Sequence, residues 1–199
     1  MLDFILNLLI FLIMAVILVS FFRKDGRWDP DRVKNTFRYF TCQSNVLCAG
    51  SALAAAAAQL AGNVPRWVWT LKYIGTAGVT VTMLTVFLFL APSVGKDWYT
   101  VLLKGASNLC MHLVTPLLAI LSFCLPEKRG MSFLWSLWGL LPVVVYGQHY
   151  LYRILFAPEG KKWEDFYGFN KQGKWPLAFG MMLAGTFAVC MLFLLAQNA

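Results

Sequence analysis

An all-α fold, a polytopic membrane bundle of six transmembrane helices, is predicted by three observations. Of the 199 residues, 59% are hydrophobic and only 13% charged, against about 25% charged in an ordinary soluble domain. The mean hydropathy is +0.64. Six apolar stretches, at 5–22, 39–61, 67–92, 99–125, 132–156 and 176–195, have the roughly 20-residue length with which a helix crosses a bilayer. They are too long to be the short alternating strands of a membrane barrel. Little chain remains outside them, so residues 1–199 read as a single integral membrane domain.

Each stretch has its own signals. The first begins Met1-Leu2-Asp3, acidic where a signal peptide is basic, and no small-residue cleavage site precedes Phe21-Phe22-Arg23-Lys24. It reads as a retained helix. In the following connection, Asp29-Pro30-Asp31 predicts a turn and a helix start near Asp31. The second span runs through Gly50-Ser51 into the small residues Ala52 to Ala58, which favour close backbone approach. Asn63-Val64-Pro65 ends it. Thr76, Thr80, Thr82 and Thr85 of the third span are expected to bond back to their own helix. Pro142 predicts a kink in the fifth. The last connection, Ala157 to Trp175, mixes lysines with Trp163, Phe166, Tyr167 and Phe169, a headgroup-level composition.

The net charge of +8 follows the connections and is no nucleic-acid signature. Six basic residues (Arg23, Lys24, Arg27, Arg32, Lys34, Arg38) lie in the first connection and five between Arg153 and Lys174. The three connections between hold two each, counting Lys72 with Arg66 as a span-end charge. The positive-inside bias then places the first, third and fifth connections in the cytoplasm and both termini outside. The five cysteines, at 42, 48, 110, 124 and 190, form no C-x-x-C pair, so neither a disulfide framework nor a zinc site is signalled.

Polar residues inside apolar helices carry the functional signal, because each costs free energy in hydrocarbon unless it has a partner or a task. At about 100° per residue, Thr41, Ser44, Asn45 and Cys48 make one stripe. Lys104, Asn108, His112 and Thr115 make a second, on a helix running in the same direction. Together they supply a hydroxyl and an imidazole, the minimal parts of a nucleophile and its base. Asn45 and Asn108 could orient the ring or donate to an oxyanion. The same residues also permit His112 to tie two helices together, or to bind an ion. Tyr146, His149 and Arg153 form a third polar stripe near the end of the fifth span, where Arg153 or Tyr146 could hold a substrate carboxylate. His112 with His149 could ligate haem iron, but no further ligand motif accompanies them, and no cofactor or metal is expected.

The segment Arg38-Tyr39-Phe40-Thr41-Cys42-Gln43-Ser44-Asn45-Val46-Leu47 resembles the opening of the second span in the androgen-induced protein family of six-pass membrane threonine hydrolases, and in particular its bacterial branch. Asn108-Leu109-Cys110-Met111-His112-Leu113-Val114-Thr115-Pro116 is similar to the family's fourth-span phrase, in which a histidine precedes a proline by four positions. Animal members hydrolyse fatty acid esters of hydroxy fatty acids with an intramembrane threonine and histidine. The resemblance therefore implies Thr41 as nucleophile, His112 as base, and an ester-linked lipid as substrate. It also implies residence in the cytoplasmic membrane of a bacterium. A related branch of acyltransferases uses cysteine, which makes Cys42 the rival nucleophile. The row Cys42-Gln43-Ser44-Asn45 is more polar than in the animal branch and speaks against a very long-chain substrate. The expected function is an intramembrane hydrolase of acyl-lipid esters with Thr41 and His112 catalytic and Ser44, Asn45, Asn108, Tyr146, His149 and Arg153 in support. The alternatives are a small-solute transporter or ligand-binding membrane protein, and a Cys42-dependent acyltransferase.

Overall fold

The computed structural model describes residues 1–99, 103–126 and 128–199. Helix α1 is Leu2–Phe22, followed by a two-stranded hairpin, β1 Arg23–Lys24 and β2 Arg27–Trp28. Helix α2 is Pro30–Thr36, α3 is Phe40–Leu60 and α4 is Arg66–Ser93. Helix α5 is Ala106–Cys124, α6 covers residues 133–156, and α7 is Trp175–Asn198. The start predicted near Asp31 is realised in α2, where the Asp29 carboxylate accepts from the Asp31 and Arg32 amides at 3.0 and 3.2 Å.

Among the described residues, four helices are long and apolar enough to cross a membrane: α1, α4, α5 and α7. The other two predicted spans, 39–61 and 132–156, are helical but carry more polar side chains. In α3 these are Gln43, Ser44, Asn45 and Gln59, and in α6 they are Gln148, His149 and Arg153. The expected opening of the fourth span at 100–102 lies outside the described residues.

Helix α4 is the central element. Burial covers 61% of its apolar window, against 22% for α1 and α7, and α3, α5, α6 and α7 all pack on it. The main core joins Trp69, Tyr73, Ala77 and Val81 of α4 to Phe123 of α5, Val143 of α6, and Val189 and Phe193 of α7. The small residues of α3 do what their size predicts. A Cβ added at Gly75 of α4 would stand 2.8 Å from the Cys48 Cα of α3. Gly75→Val should therefore force α3 and α4 apart, lowering stability by about 1–3 kcal/mol; thermal unfolding in detergent reads the loss.

Proline shapes two of the helices in the same way. π-helical turns occupy Val86–Leu90, Cys110–Val114 and Tyr152–Phe156. The first two begin six residues before a proline inside the same helix, Pro92 and Pro116. A proline offers no N–H to the carbonyl four residues back and its ring crowds that carbonyl, and a wider turn relieves the crowding. Those carbonyls belong to Leu88 and His112. The third turn ends its helix, with Ala157 extended ahead of Pro158. The kink expected at Pro142 takes a different form, a 3-10 turn over Leu137–Leu140 before the α-helix resumes at Leu141.

One feature departs from the charge reading. Lys72 is not a span-end anchor but is 2% exposed, inside the bundle. Its ammonium lies 2.6 Å from Ser122 Oγ of α5 and 3.3 Å from the Asp3 carboxylate of α1. The same Asp3 oxygen accepts from Asn7 at 3.1 Å and Ser122 at 3.2 Å, and Gln59 of α3 donates to the other oxygen. Four helices thus meet on one carboxylate. The even connections consequently hold one interfacial charge fewer than counted, which strengthens the charge asymmetry.

Candidate functional site

The other end of the bundle, where α3 begins and α4 ends, holds the residues singled out in the sequence. Thr41 sits in the first turn of α3 and lines an apolar cleft of about 490 Å³, its open mouth included. The walls are Thr82, Thr85, Val86 and Leu90 of α4, Val143, Tyr146 and Gly147 of α6, and Phe179 and Met182 of α7. Tyr167 and Phe169 of the last connection cover it. Of the hydroxyls in the lining, Thr82 is engaged with Ser44 Oγ at 2.8 Å, and Tyr146 donates to the Arg38 carbonyl at 2.7 Å.

Tyr167 is the site residue that the sequence reading passed over as a headgroup aromatic. Its phenol oxygen accepts the Phe40 amide at 3.0 Å, satisfying one of the unpaired N–H groups at the start of α3. Burial pushes this phenol above its usual range, and the Phe40 amide, Tyr146 and Thr41 beside it pull it back. It is a neutral phenol at physiological pH.

The last connection is built to hold that phenol. Asp165 accepts the amides of Phe169 and Asn170 at 2.9 and 2.7 Å and the Tyr150 hydroxyl at 2.8 Å. Tyr150, fully buried in α6, accepts the Tyr167 amide at 3.1 Å. Gly168, at φ +68°, supplies the left-handed residue that this tight turn requires. Asp165→Ala removes the acceptor of three donors, each worth about 1.5–3 kcal/mol when the partner is charged. The variant should free the 165–170 segment, giving faster limited proteolysis there with the core unfolding transition little changed.

The second stripe stands behind α3. Asn45, buried, donates to the Thr41 carbonyl at 2.8 Å and to the Met111 carbonyl of α5 at 3.2 Å. It fixes the π turn that carries His112 to the turn that carries Thr41. Among the described residues, Asn45 Oδ1 and the hydroxyl of the fully buried Thr115 have no hydrogen-bond partner. His112 is half-buried and is not among the residues lining the cleft. Its position in a π turn is noteworthy because such turns recur at functional sites.

The remaining expected residues are distributed more widely. Ser44 ties α3 to α4 through Thr82. Asn108 donates to the carbonyl of Lys104 at 3.4 Å; Lys104 lies in the bend before α5 and not on the helix, so the second stripe begins only at Asn108. His149 is exposed and meets the Trp163 ring edge-on at 5.2 Å. The Arg153 guanidinium lies over Trp163 at 4.9 Å, and its buried Nε has no hydrogen-bond partner among the described residues. Cys42 is 2% exposed and, like these, is absent from the cleft lining. The structure therefore brings Thr41, Tyr146 and Tyr167 together, and Asn45 ties the Thr41 turn to the Met111 carbonyl beside His112, which itself stands outside the cleft lining. No three His, Cys, Asp or Glu side chains cluster as a metal site among the described residues. Comparison with protein families, curated proteins and solved structures finds no match to this chain.

Proposed function

We propose that the protein is a six-span integral membrane hydrolase of ester-linked acyl lipids, with Thr41 as nucleophile and His112 as its base. The observation that carries this reading is the position of Thr41: a hydroxyl beside two phenols in a mainly apolar cleft whose other hydroxyls are those of Thr82 and Thr85. In this reading α3 and α6 join the four apolar helices as spans. The polar face of α3 turns inward, where Ser44 and Asn45 have partners, and Tyr146 of α6 donates to the Arg38 carbonyl. The basic first and fifth connections lie in the cytoplasm, which puts the cleft on that side.

The chemistry assigns each group one task. Thr41 Oγ attacks the ester carbonyl while His112 accepts its proton. Tyr167 donates to the carbonyl oxygen as it becomes an oxyanion. The alkoxide departs with the proton from His112, leaving an acyl-Thr41 ester and a free alcohol. Water then attacks that ester, giving a proton to His112, and Thr41 leaves with it. The net reaction is ester plus water to carboxylic acid plus alcohol. Asn45 positions the two catalytic turns.

The experiment places purified protein in vesicles of ether-linked phosphatidylcholine, which offers no competing ester, and adds an acyl ester of a long-chain alcohol. Acid and alcohol should appear in equal amounts. Absence of release above a protein-free control would refute hydrolysis of this ester class.

A further inference from the structure

The cleft beside Thr41 does not close within the bundle. A second recess of about 590 Å³, open side included, shares Thr85, Leu90, Tyr167, Phe169 and Met182 with it. This outer recess adds Phe89 of α4 and Met181 of α7, which are 51% and 49% exposed. Both belong to helices apolar and long enough to span a bilayer, so the joined recess opens sideways between two membrane helices. Along the same cleft, Phe179 of α7 lies on Gly147 of α6. A Cβ there would collide with the ring Cε2, so only glycine lets the ring settle against α6.

We infer that the joined recess is a lipid-binding site with a built-in ruler for the acyl group. The lipid's long portion lies between Phe89 and Met181 toward the bilayer, its ester carbonyl at Thr41 and Tyr167, and its acyl end in the inner pocket that Phe179 bounds. Placing the ester at Thr41 rests on the hydrolase reading; the lipid site itself does not. The occupant is an aliphatic lipid because the walls are apolar and the mouth opens between helices rather than to water.

Two measurements on the full-length protein in ether-linked phosphatidylcholine vesicles test this. A palmitic acid carrying a photoreactive diazirine should label peptides of α4 and α7 around Leu90 and Met182, and Met181→Trp should reduce that labelling about tenfold. Labelling spread over all lipid-exposed helices, or indifferent to Met181→Trp, would overturn the site. Separately, acetyl, butyryl, octanoyl and dodecanoyl esters of one long-chain alcohol are compared. Phe179→Ala should shift preference toward longer acyl groups by about tenfold, and Gly147→Ala, which pushes the ring into the cleft, toward shorter ones. An unchanged profile in Phe179→Ala with intact hydrolysis overturns the ruler. Labelling at the cleft without hydrolysis of any ester refutes the hydrolase reading and leaves the lipid site standing.

Discussion

Asp3→Asn is expected to destabilise the bundle by about 3–5 kcal/mol, the cost of leaving a buried charge without its partner. The size follows from where Lys72 sits. Its side chain is 3% exposed against 18% for Asp3, so the ammonium cannot reach water when the carboxylate is lost. Lys72→Met should cost less, because the remaining carboxylate is partly solvated and keeps Asn7, Gln59 and Ser122 as donors. The double variant Asp3→Asn/Lys72→Met should recover most of the loss, since a neutral pair of similar volume has no desolvated charge. Thermal unfolding of the three variants in one detergent gives the coupling energy. Additive losses in the double variant would mean that the ion pair does not join α1 to α4.

Thr41→Ala should lower ester hydrolysis on the order of 10³-fold or more, and His112→Ala by a similar factor. Because the two act as one unit, the double variant should be no slower than the worse single one. Tyr167→Phe should cost about 10²–10³-fold in kcat with KM nearly unchanged, as loss of one oxyanion donor does. That split separates donation to the oxyanion from a purely structural cap on Phe40, since loss of a cap would lower the unfolding temperature instead. Asn45→Ala should lower the rate less and move the unfolding transition, consistent with a residue that fixes the Thr41 and His112 turns through backbone carbonyls.

Much of the fold was legible because its causes are local. Apolar length announces the helices, Asp29 before Pro30 announces α2, and the alanines of α3 announce close packing. Pro142 foretells a departure from α geometry in α6, although proline alone does not say that it takes the form of a 3-10 turn. The role of Lys72 was not legible. A lysine six residues inside a span start looks the same whether it snorkels to the interface or turns inward. Only the convergence of Asp3, Gln59 and Ser122 from three other helices decides it, and that pairing is non-local.

The site was legible in part for the same reason. Helical spacing puts Thr41, Ser44 and Asn45 on one face, and the structure uses all three. It gives the polar work of Ser44 and Asn45 to helix ties rather than to the cleft. Tyr167 was invisible because its importance lies in a loop fold set by Asp165 and Tyr150, which share no period with it. His149 and Arg153 followed the helical rule correctly but face Trp163, since a stripe on one helix does not say which neighbour it meets.

The most direct test of the central claim, that Thr41 is the nucleophile, is the site of covalent capture. Wild-type protein in ether-linked phosphatidylcholine vesicles is treated with an alkyl fluorophosphonate, digested, and its adduct located by peptide mass spectrometry. The account predicts a single phosphonyl group on Thr41, absent in His112→Ala and retained in Cys42→Ala. An adduct on Cys42 or elsewhere, or equal labelling of Thr41→Ala, would contradict it.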